Sequence, residues 1–222
     1  GDMSYNPEPS YFETAEDLDA NFVYNGFCGA NLSKYMIEGS KLEGKTLVFL
    51  KPCDSYSFNQ LIAEHRVDRD KAYIIGVGCM GKLSFEKIKE QGVKGITNIT
   101  IDDANENITV ETLYGEKTLA YKDCMLERCH VCKGKEHQIY DELIGESKDT
   151  KDQERFTEVE RIEAMSPQER FAYFQSELSK CIRCNACRNV CPACSCRKCV
   201  FDSNKFDSAQ KANVDDFEEK MF

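Results

Sequence analysis

The chain has 222 residues, of which 41% are hydrophobic and 31% are charged, and its 29 basic and 39 acidic residues give a formal net charge of −10. This composition excludes a disordered or fibrous chain, and the length suits one large domain or two small ones. The acidic balance argues against nucleic-acid binding, which requires a positive surface, and no apolar run reaches the roughly 20 residues of a membrane span.

Residues 1–15 are polar and contain Pro7 and Pro9, which predicts an irregular arm. An α/β domain is expected over residues 16–145. It begins with a short helix near residues 31–37 and continues into a strand over Thr46–Leu50, an apolar run rich in strand-forming residues.

The next elements predict a β-α-β unit. Asp54 or Ser55 is expected to cap a helix that runs to His65, and a second buried strand follows over Ala72–Val77. Strand, helix and strand within about 30 residues require parallel strands joined by a right-handed crossover.

The rest of the chain predicts a helix over residues 83–90 and short strands over 96–121, with turns at Asn105 and Gly115. The charge-dense residues 141–163 are expected to be helical, and residues 146–180 to form a helical linker. Ser166 to Glu169 read as a capping box with Pro167 at the first helical position. The fold class is therefore a small parallel-sheet α/β domain, followed by this linker and a ferredoxin-like cysteine-rich segment over residues 181–222.

Cysteine usage indicates the compartment. The chain holds 13 cysteines, and seven of them lie between Cys181 and Cys199. An odd number, the lack of a secretory signal and the abundance of Lys and Glu favour a reducing, cytoplasmic setting. Clustered cysteines in such a setting are more often metal ligands than disulfides.

The segment CIRCNACRNVCPACSCRKC contains the pattern C-x2-C-x2-C-x3-C-P, typical of bacterial ferredoxins that bind [4Fe–4S] clusters. Its predicted ligands are Cys181, Cys184, Cys187 and Cys191. Structural zinc is the alternative, but a zinc ribbon requires two well-separated C-x2-C pairs. In two-cluster ferredoxins the fourth cysteine serves the other cluster, so the fourth ligand stays open. Cys194, Cys196 and Cys199 are further thiols that could supply it.

A second cysteine set falls in the α/β domain. Cys53 follows the first predicted strand and Cys79 follows the second, so parallel pairing places both at the carboxyl edge of the sheet, where α/β folds bind ligands. Cys129 and Cys132 add a C-x2-C pair. We predict that these four cysteines hold another [4Fe–4S] cluster; the alternative for each alone is a small buried hydrophobe. Cys28 is a reserve ligand.

Three stretches carry a family resemblance: LVFLKPCDSYSFNQLIAEHRVDRDKAYIIGVGCMGKL, CHVCKGKEHQIYDELIGE and EAMSPQERFAYFQSELSKCIRCNACRNVCPACSCRKC. In this order they resemble the beta subunits of deazaflavin-linked hydrogenases and formate dehydrogenases, especially the formate dehydrogenase beta-subunit-like branch. The resemblance implies an iron–sulfur electron-transfer subunit, often with a flavin such as FAD, that relays electrons between a catalytic oxidoreductase partner and a diffusible carrier.

The same resemblance places the two cysteine sets on the family's cysteine positions. It also matches Lys51, Asp54 and Ser55 to a K-x-C-D-S signature, which makes them candidate cofactor contacts, although Pro52 stands where many relatives carry Gly. Such relatives usually continue into a second ferredoxin motif, which normally supplies the fourth ligand. No such motif follows residues 181–199 here, so the sequence is expected to be either a fragment or a chain without the second ferredoxin half, and the ligand set of this segment is expected to be incomplete on its own. A zinc-stabilised non-redox interaction module and a self-sufficient flavin-dependent reductase are the alternative functions.

Overall fold

The structure is a computed structural model that describes residues 5–134, 136–147, 154–182 and 184–196. It contains two compact units, Gly1–Gln153 and Glu154–Phe222. The predicted thiol of Cys199 and the end of the predicted ferredoxin-like segment, residues 197–222, lie outside the described residues.

The first unit contains five described α-helices and six described strands, with three short 3-10 helices between them. The helices are α1 (Ala15–Asn21), α2 (Met36–Gly39), α3 (Pro52–Ala63), α4 (Phe85–Glu90) and α5 (Glu127–His130). The strands are β1 (Thr46–Leu50), β2 (Ala72–Val77), β3 (Ile96–Asp102), β4 (Asn107–Thr112), β5 (Gly115–Ala120) and β6 (Glu142–Ile144).

A three-stranded parallel sheet of order β1-β2-β6 forms one layer of this unit. Both strands of the predicted β-α-β unit are confirmed with their predicted bounds, and Leu50 lies opposite Gly76 in the register. Phe58 and Leu61 of α3 pack with Val48 and Ile74 in the buried cluster beneath the sheet. Burial of these apolar side chains is what fixes the strands in this register.

Helix α3 begins earlier than predicted. Lys51 is its N-cap and Pro52 its first residue, where the missing N–H of proline costs nothing. The prediction that Asp54 or Ser55 caps the helix is wrong, because the Asp54 carboxylate reaches back from the third helical position to accept the Lys51 N–H at 3.3 Å. The helix ends at Ala63 rather than His65, whose φ of 54° is left-handed.

Strands β3, β4 and β5 form an antiparallel sheet in that order, which confirms the short strands predicted over residues 96–121. Its inner face buries Ile99, Ile108 and Val110 against Ile88 of α4. Cys124 is fully buried in the same cluster.

Strand β6 corrects the first part of the prediction that residues 141–163 are helical, whereas the last part, Thr157–Glu163, is a helix as predicted. Its pairing is set from both ends, because Asp141 Oδ2 accepts the Ile74 N–H at 2.7 Å and the Gly78 N–H donates to the Ile144 carbonyl at 2.8 Å. Arg69 also donates to Asp141 at 2.7 Å. These non-local contacts override the charge pattern that favoured a helix.

We expect Asp141→Asn to weaken the fold at neutral pH. The Arg69 guanidinium and the Ile74 N–H hold the pKa of Asp141 below its usual value of 3.8. A lowered folded-state pKa gives stability that is present above the ordinary value and is lost as the pH falls through the folded value. The variant should lose about 1 kcal/mol at pH 7, and this loss should shrink towards pH 3.

Urea unfolding of both chains from pH 7 to pH 3 measures this effect. Asp19→Asn, at an exposed position of α1, is the control and should match the parent throughout. An Asp141→Asn deficit that stays constant down to pH 3 would contradict the assigned cause.

The second unit contains the described helices α6 (Thr157–Glu163), α7 (Pro167–Ser179) and α8 (Ala186–Val190). The predicted capping box of α7 is confirmed, since Ser166 Oγ accepts the Glu169 N–H at 3.3 Å and the Glu169 carboxylate accepts the Ser166 N–H at 2.9 Å. No helix in the described ranges combines the length and apolarity needed to cross a bilayer. A ferredoxin-like fold is not shown by these residues and stays a prediction.

Candidate metal centre

The parallel register brings Cys53 and Cys79 to the same edge of the sheet. Leu50 pairs with Gly76, and each cysteine lies three residues beyond one of these partners. Cys53 is the second residue of α3, and Cys79 lies in the loop after β2. The sequence prediction that both follow the carboxyl ends of neighbouring parallel strands is therefore confirmed.

Cys129 and Cys132 reach this edge through a short antiparallel contact. Leu83 and Met125 form an isolated β-bridge, and the Leu126 N–H donates to the Lys82 carbonyl at 2.8 Å. Because Lys82 follows Cys79 by three residues, this contact carries the C-x2-C pair of α5 and the turn after it to the loop that holds Cys79.

All four cysteines of the predicted second set line one cavity. Its volume is about 400 Å³ including its open mouth. Cys79 is buried, Cys129 and Cys132 are half-buried, and Cys53 is exposed. The other lining residues are Gly29, Lys51, Pro52, Gly81, Lys82, Arg128 and Gly134.

Glycines allow the close approach of the cavity walls. Gly81 has a φ of +102°, and a Cβ there would lie 2.3 Å from Met125 Cε. A Cβ at Gly78 would lie 2.3 Å from the Glu146 carbonyl oxygen. A side chain at Gly78 would thus displace the chain after β6, whose Ser147 hydroxyl accepts the Cys79 N–H at 3.1 Å.

The K-x-C-D-S residues are tied to groups of this chain. Lys51 Nζ donates to Asp54 Oδ2 at 2.7 Å and to the Ala30 carbonyl at 2.5 Å, and both side chains of the pair are at most 6% exposed. Ser55 Oγ donates to the Pro52 carbonyl at 2.6 Å and accepts the Gln138 N–H at 2.9 Å. These bonds anchor the start of α3 beside Cys53, and only Lys51 of the three also lines the cavity.

Lys82 is a second buried cation at this cavity, 5% exposed. Its Nζ donates to the Asn25 carbonyl at 2.8 Å and lies 4.0 Å from the centroid of the Tyr24 ring. Burial lowers the pKa of Lys82, and the neighbouring Cys79 opposes that shift. Arg128, the third lining cation, is exposed.

Burial also raises the pKa of two cavity thiols, those of Cys53 and Cys129. It raises the pKa of Cys53 to about 12, and Asp54 adds to the shift. Cys53 opens on the cavity mouth, but the protein atoms crowded around it remove much of its hydration. Burial raises the pKa of Cys129 as well, against a backbone hydrogen bond from Lys82 that lowers it. Without a metal the Cys53 and Cys129 thiols hold their protons at pH 7, so metal binding by these two would release protons.

The sequence prediction missed Lys82, Tyr24 and Arg128. Lys82 carried a usable signal, since it is a lysine in the glycine-containing loop that follows a candidate ligand, GCMGK. Tyr24 carried none, because its role depends on contacts across 54 residues with the Gly78 carbonyl, to which its hydroxyl donates at 2.8 Å.

The ferredoxin-motif cysteines lie in the second unit. Asn185, with a φ of 61°, precedes α8 and separates Cys184 from Cys187, while the Cys191 N–H donates to the Cys187 carbonyl at 3.1 Å. Across the ranges that the structure describes, no three Cys, His, Asp or Glu side chains lie close enough to hold one metal ion. The four ligands of a [4Fe–4S] cluster need not lie within reach of one metal ion, because each thiolate binds a different iron atom.

Comparisons with known proteins give the chain a distant relative. It is 22% identical over 265 aligned positions to the "F420-dependent formate dehydrogenase 1 subunit beta" of Methanococcus maripaludis, covering 92% of this chain and 68% of that protein. The chain is distantly related to that family of beta subunits. No protein-family profile matches it.

Proposed function

We propose that the chain is an iron–sulfur electron-transfer subunit of a multi-subunit oxidoreductase of the formate dehydrogenase or hydrogenase type. It relays electrons between a catalytic partner subunit and a diffusible carrier in a reducing cytoplasm. The relative named above is a subunit of a formate dehydrogenase, which supports an oxidoreductase assembly for this chain too.

The observation that carries the proposal is the convergence of four separated cysteines on one cavity. Cys53, Cys79, Cys129 and Cys132 come from the N-terminus of α3, the loop after β2, and the end of α5 with the turn after it. Four thiols around a cavity that also contains two buried lysines fit an anionic group that takes one thiolate per iron.

The chain's own residues would serve such a group in distinct ways. A bound [4Fe–4S] cluster supplies a site that accepts and releases single electrons. The four thiolates hold it in place, and the buried Cys79 side keeps water from it. Cys53 lies at the exposed mouth, which gives the shortest path between the cavity and an electron partner at the surface.

The second cysteine set, Cys181, Cys184, Cys187 and Cys191, is proposed to hold a further cluster. Its C-x2-C-x2-C-x3-C-P spacing supports this assignment. A flavin such as FAD is the proposed additional cofactor, with Lys51, Asp54 and Ser55 at the strand end as its candidate contacts. Asp54 and Ser55 form hydrogen bonds within this chain and do not line the cavity. Of the three residues, Lys51 alone is among the lining residues.

The test is the metal and cofactor content of the chain purified without oxygen. We expect a brown protein with about eight iron atoms and matching acid-labile sulfide, and electron paramagnetic resonance signals of reduced clusters after dithionite addition. About four iron atoms would mean that the chain binds one cluster rather than two. A colourless protein with stoichiometric zinc would contradict the proposal in favour of a non-redox module.

Flavin content and turnover decide the remaining alternative. The proposal expects little activity from the isolated chain until a catalytic partner is added. Bound flavin together with turnover of a small acceptor by the isolated chain would instead identify a self-sufficient reductase.

A further inference from the structure

Three cations line the thiol cavity, and their electrostatic surroundings differ. Lys51 is buried but neutralised by Asp54 at 2.7 Å. Arg128 is exposed, so water and salt screen its charge. Lys82 is buried, and among the described residues no carboxylate forms an ion pair with it. The net buried charge of the cavity wall therefore comes from Lys82.

The fold holds this ammonium in one place. The Asn25 carbonyl accepts from Nζ at 2.8 Å, and the Tyr24 ring lies beneath it at 4.0 Å. Tyr24 is fixed in turn by its hydroxyl, which donates to the Gly78 carbonyl, one residue before Cys79. A carbonyl and an aromatic face stabilise a cation while leaving its charge uncancelled.

Lys82 lies where the two cysteine-bearing segments meet. It lines the same cavity as the four cysteines and follows Cys79 by three residues in one loop. Its carbonyl accepts the Leu126 N–H at 2.8 Å, three residues before Cys129, and the charges of its ammonium and of Cys79 affect each other. A buried positive charge at this place favours the more negative state of an iron–sulfur group, because it stabilises the added electron.

We propose that Lys82 is a positioning residue that raises the reduction potential of the group held by Cys53, Cys79, Cys129 and Cys132, with Tyr24 and Asn25 fixing its charge beside Cys79. This inference rests on the proposed function. In the step concerned, an external one-electron donor, dithionite in the titration, gives one electron to the cluster, and no covalent bond forms or breaks.

The experiment is a redox titration of the anaerobic full chain, followed by electron paramagnetic resonance. Lys82→Gln should keep its iron and sulfide but show at least a tenfold lower ratio of reduced to oxidised cluster at a fixed ambient potential. For a one-electron couple this corresponds to a midpoint about 59 mV lower. Lys82→Arg, which keeps the charge, should restore most of the ratio.

Lys89→Gln is the matched control, since it removes the same charge from an exposed position on α4. It should leave the midpoint unchanged, and Arg128→Gln should shift it by much less than Lys82→Gln because solvent screens that charge. A Lys82→Gln midpoint equal to that of Lys89→Gln would overturn the inference while leaving the cluster assignment intact.

Tyr24→Leu is a second variant, which tests the inference even if Lys82→Gln fails to keep its cluster. Tyr24→Leu keeps the lysine but exposes its ammonium to water, so the midpoint should fall in the same direction by a smaller amount. An unchanged midpoint in Tyr24→Leu would overturn the inference. An absence of iron and sulfide in the parent chain would refute the proposed function itself.

Discussion

Cys53→Ser is expected to lower the iron content of the anaerobically purified chain from about eight atoms to about four. Serine oxygen is a much poorer ligand for iron than thiolate, and Cys53 is one of four cysteines around the cavity. Its position at the exposed mouth means that the substitution disturbs little packing. Iron and sulfide analysis of the parent and the variant measures the loss.

Cys28→Ser is the matched control for this experiment. Cys28 bonds with the Asn25 N–H and is not among the cavity-lining residues, so the variant should keep all of its iron. Cys181→Ser should remove the other half, and the double variant with Cys53→Ser should hold almost none. An unchanged iron count in Cys53→Ser would show that the sheet-edge cysteines are not ligands.

Asp54→Ala is expected to reduce the free energy of unfolding by about 3–5 kcal/mol, a large share of the stability of an ordinary domain. The substitution removes the carboxylate that pairs with Lys51 inside the protein, where both side chains are at most 6% exposed. It also removes the acceptor for the Lys51 N–H at the start of α3. Most of the lost stability is expected to come from the buried Lys51 ammonium, which no longer has a carboxylate partner.

Urea unfolding of the full chain, followed by circular dichroism, measures this loss. Glu38→Ala is the matched control, because it breaks an ion pair with Lys41 at the same i,i+3 spacing but with both side chains more than half exposed. It should cost less than about 1 kcal/mol.

The double variant Lys51→Met with Asp54→Leu identifies the cause of the loss. It replaces the buried pair by apolar side chains of similar size and should recover most of the stability. A double variant as unstable as Asp54→Ala would assign the loss to the helix start rather than to the unpaired charge.

The sequence predicted those parts of the fold that depend on local pattern. The apolar runs over Thr46–Leu50 and Ala72–Val77 gave both strand bounds, and parallel pairing followed from the intervening helix. From these two facts alone Cys53 and Cys79 were placed at one sheet edge.

The errors arose where distant contacts decide the structure. The start of α3 depends on the buried Lys51–Asp54 pair, which a capping pattern alone does not reveal. Strand β6 depends on backbone bonds to Ile74 and Gly78, more than 60 residues away. Tyr24 could not be placed beside the cavity from the sequence, because its position is set by a hydrogen bond to the Gly78 carbonyl, 54 residues away.

The bridge between Leu83 and Met125 has a consequence for biosynthesis. It forms only when the chain beyond the antiparallel sheet has folded back onto the loop after β2, and this brings Cys129 and Cys132 to the cavity. During translation Cys53 and Cys79 emerge from the ribosome well before Cys129 and Cys132, and domains fold as units. The nascent polypeptide therefore cannot present the complete set of cavity cysteines until residue 132 has been made, so any cofactor delivered to this cavity must arrive after that point.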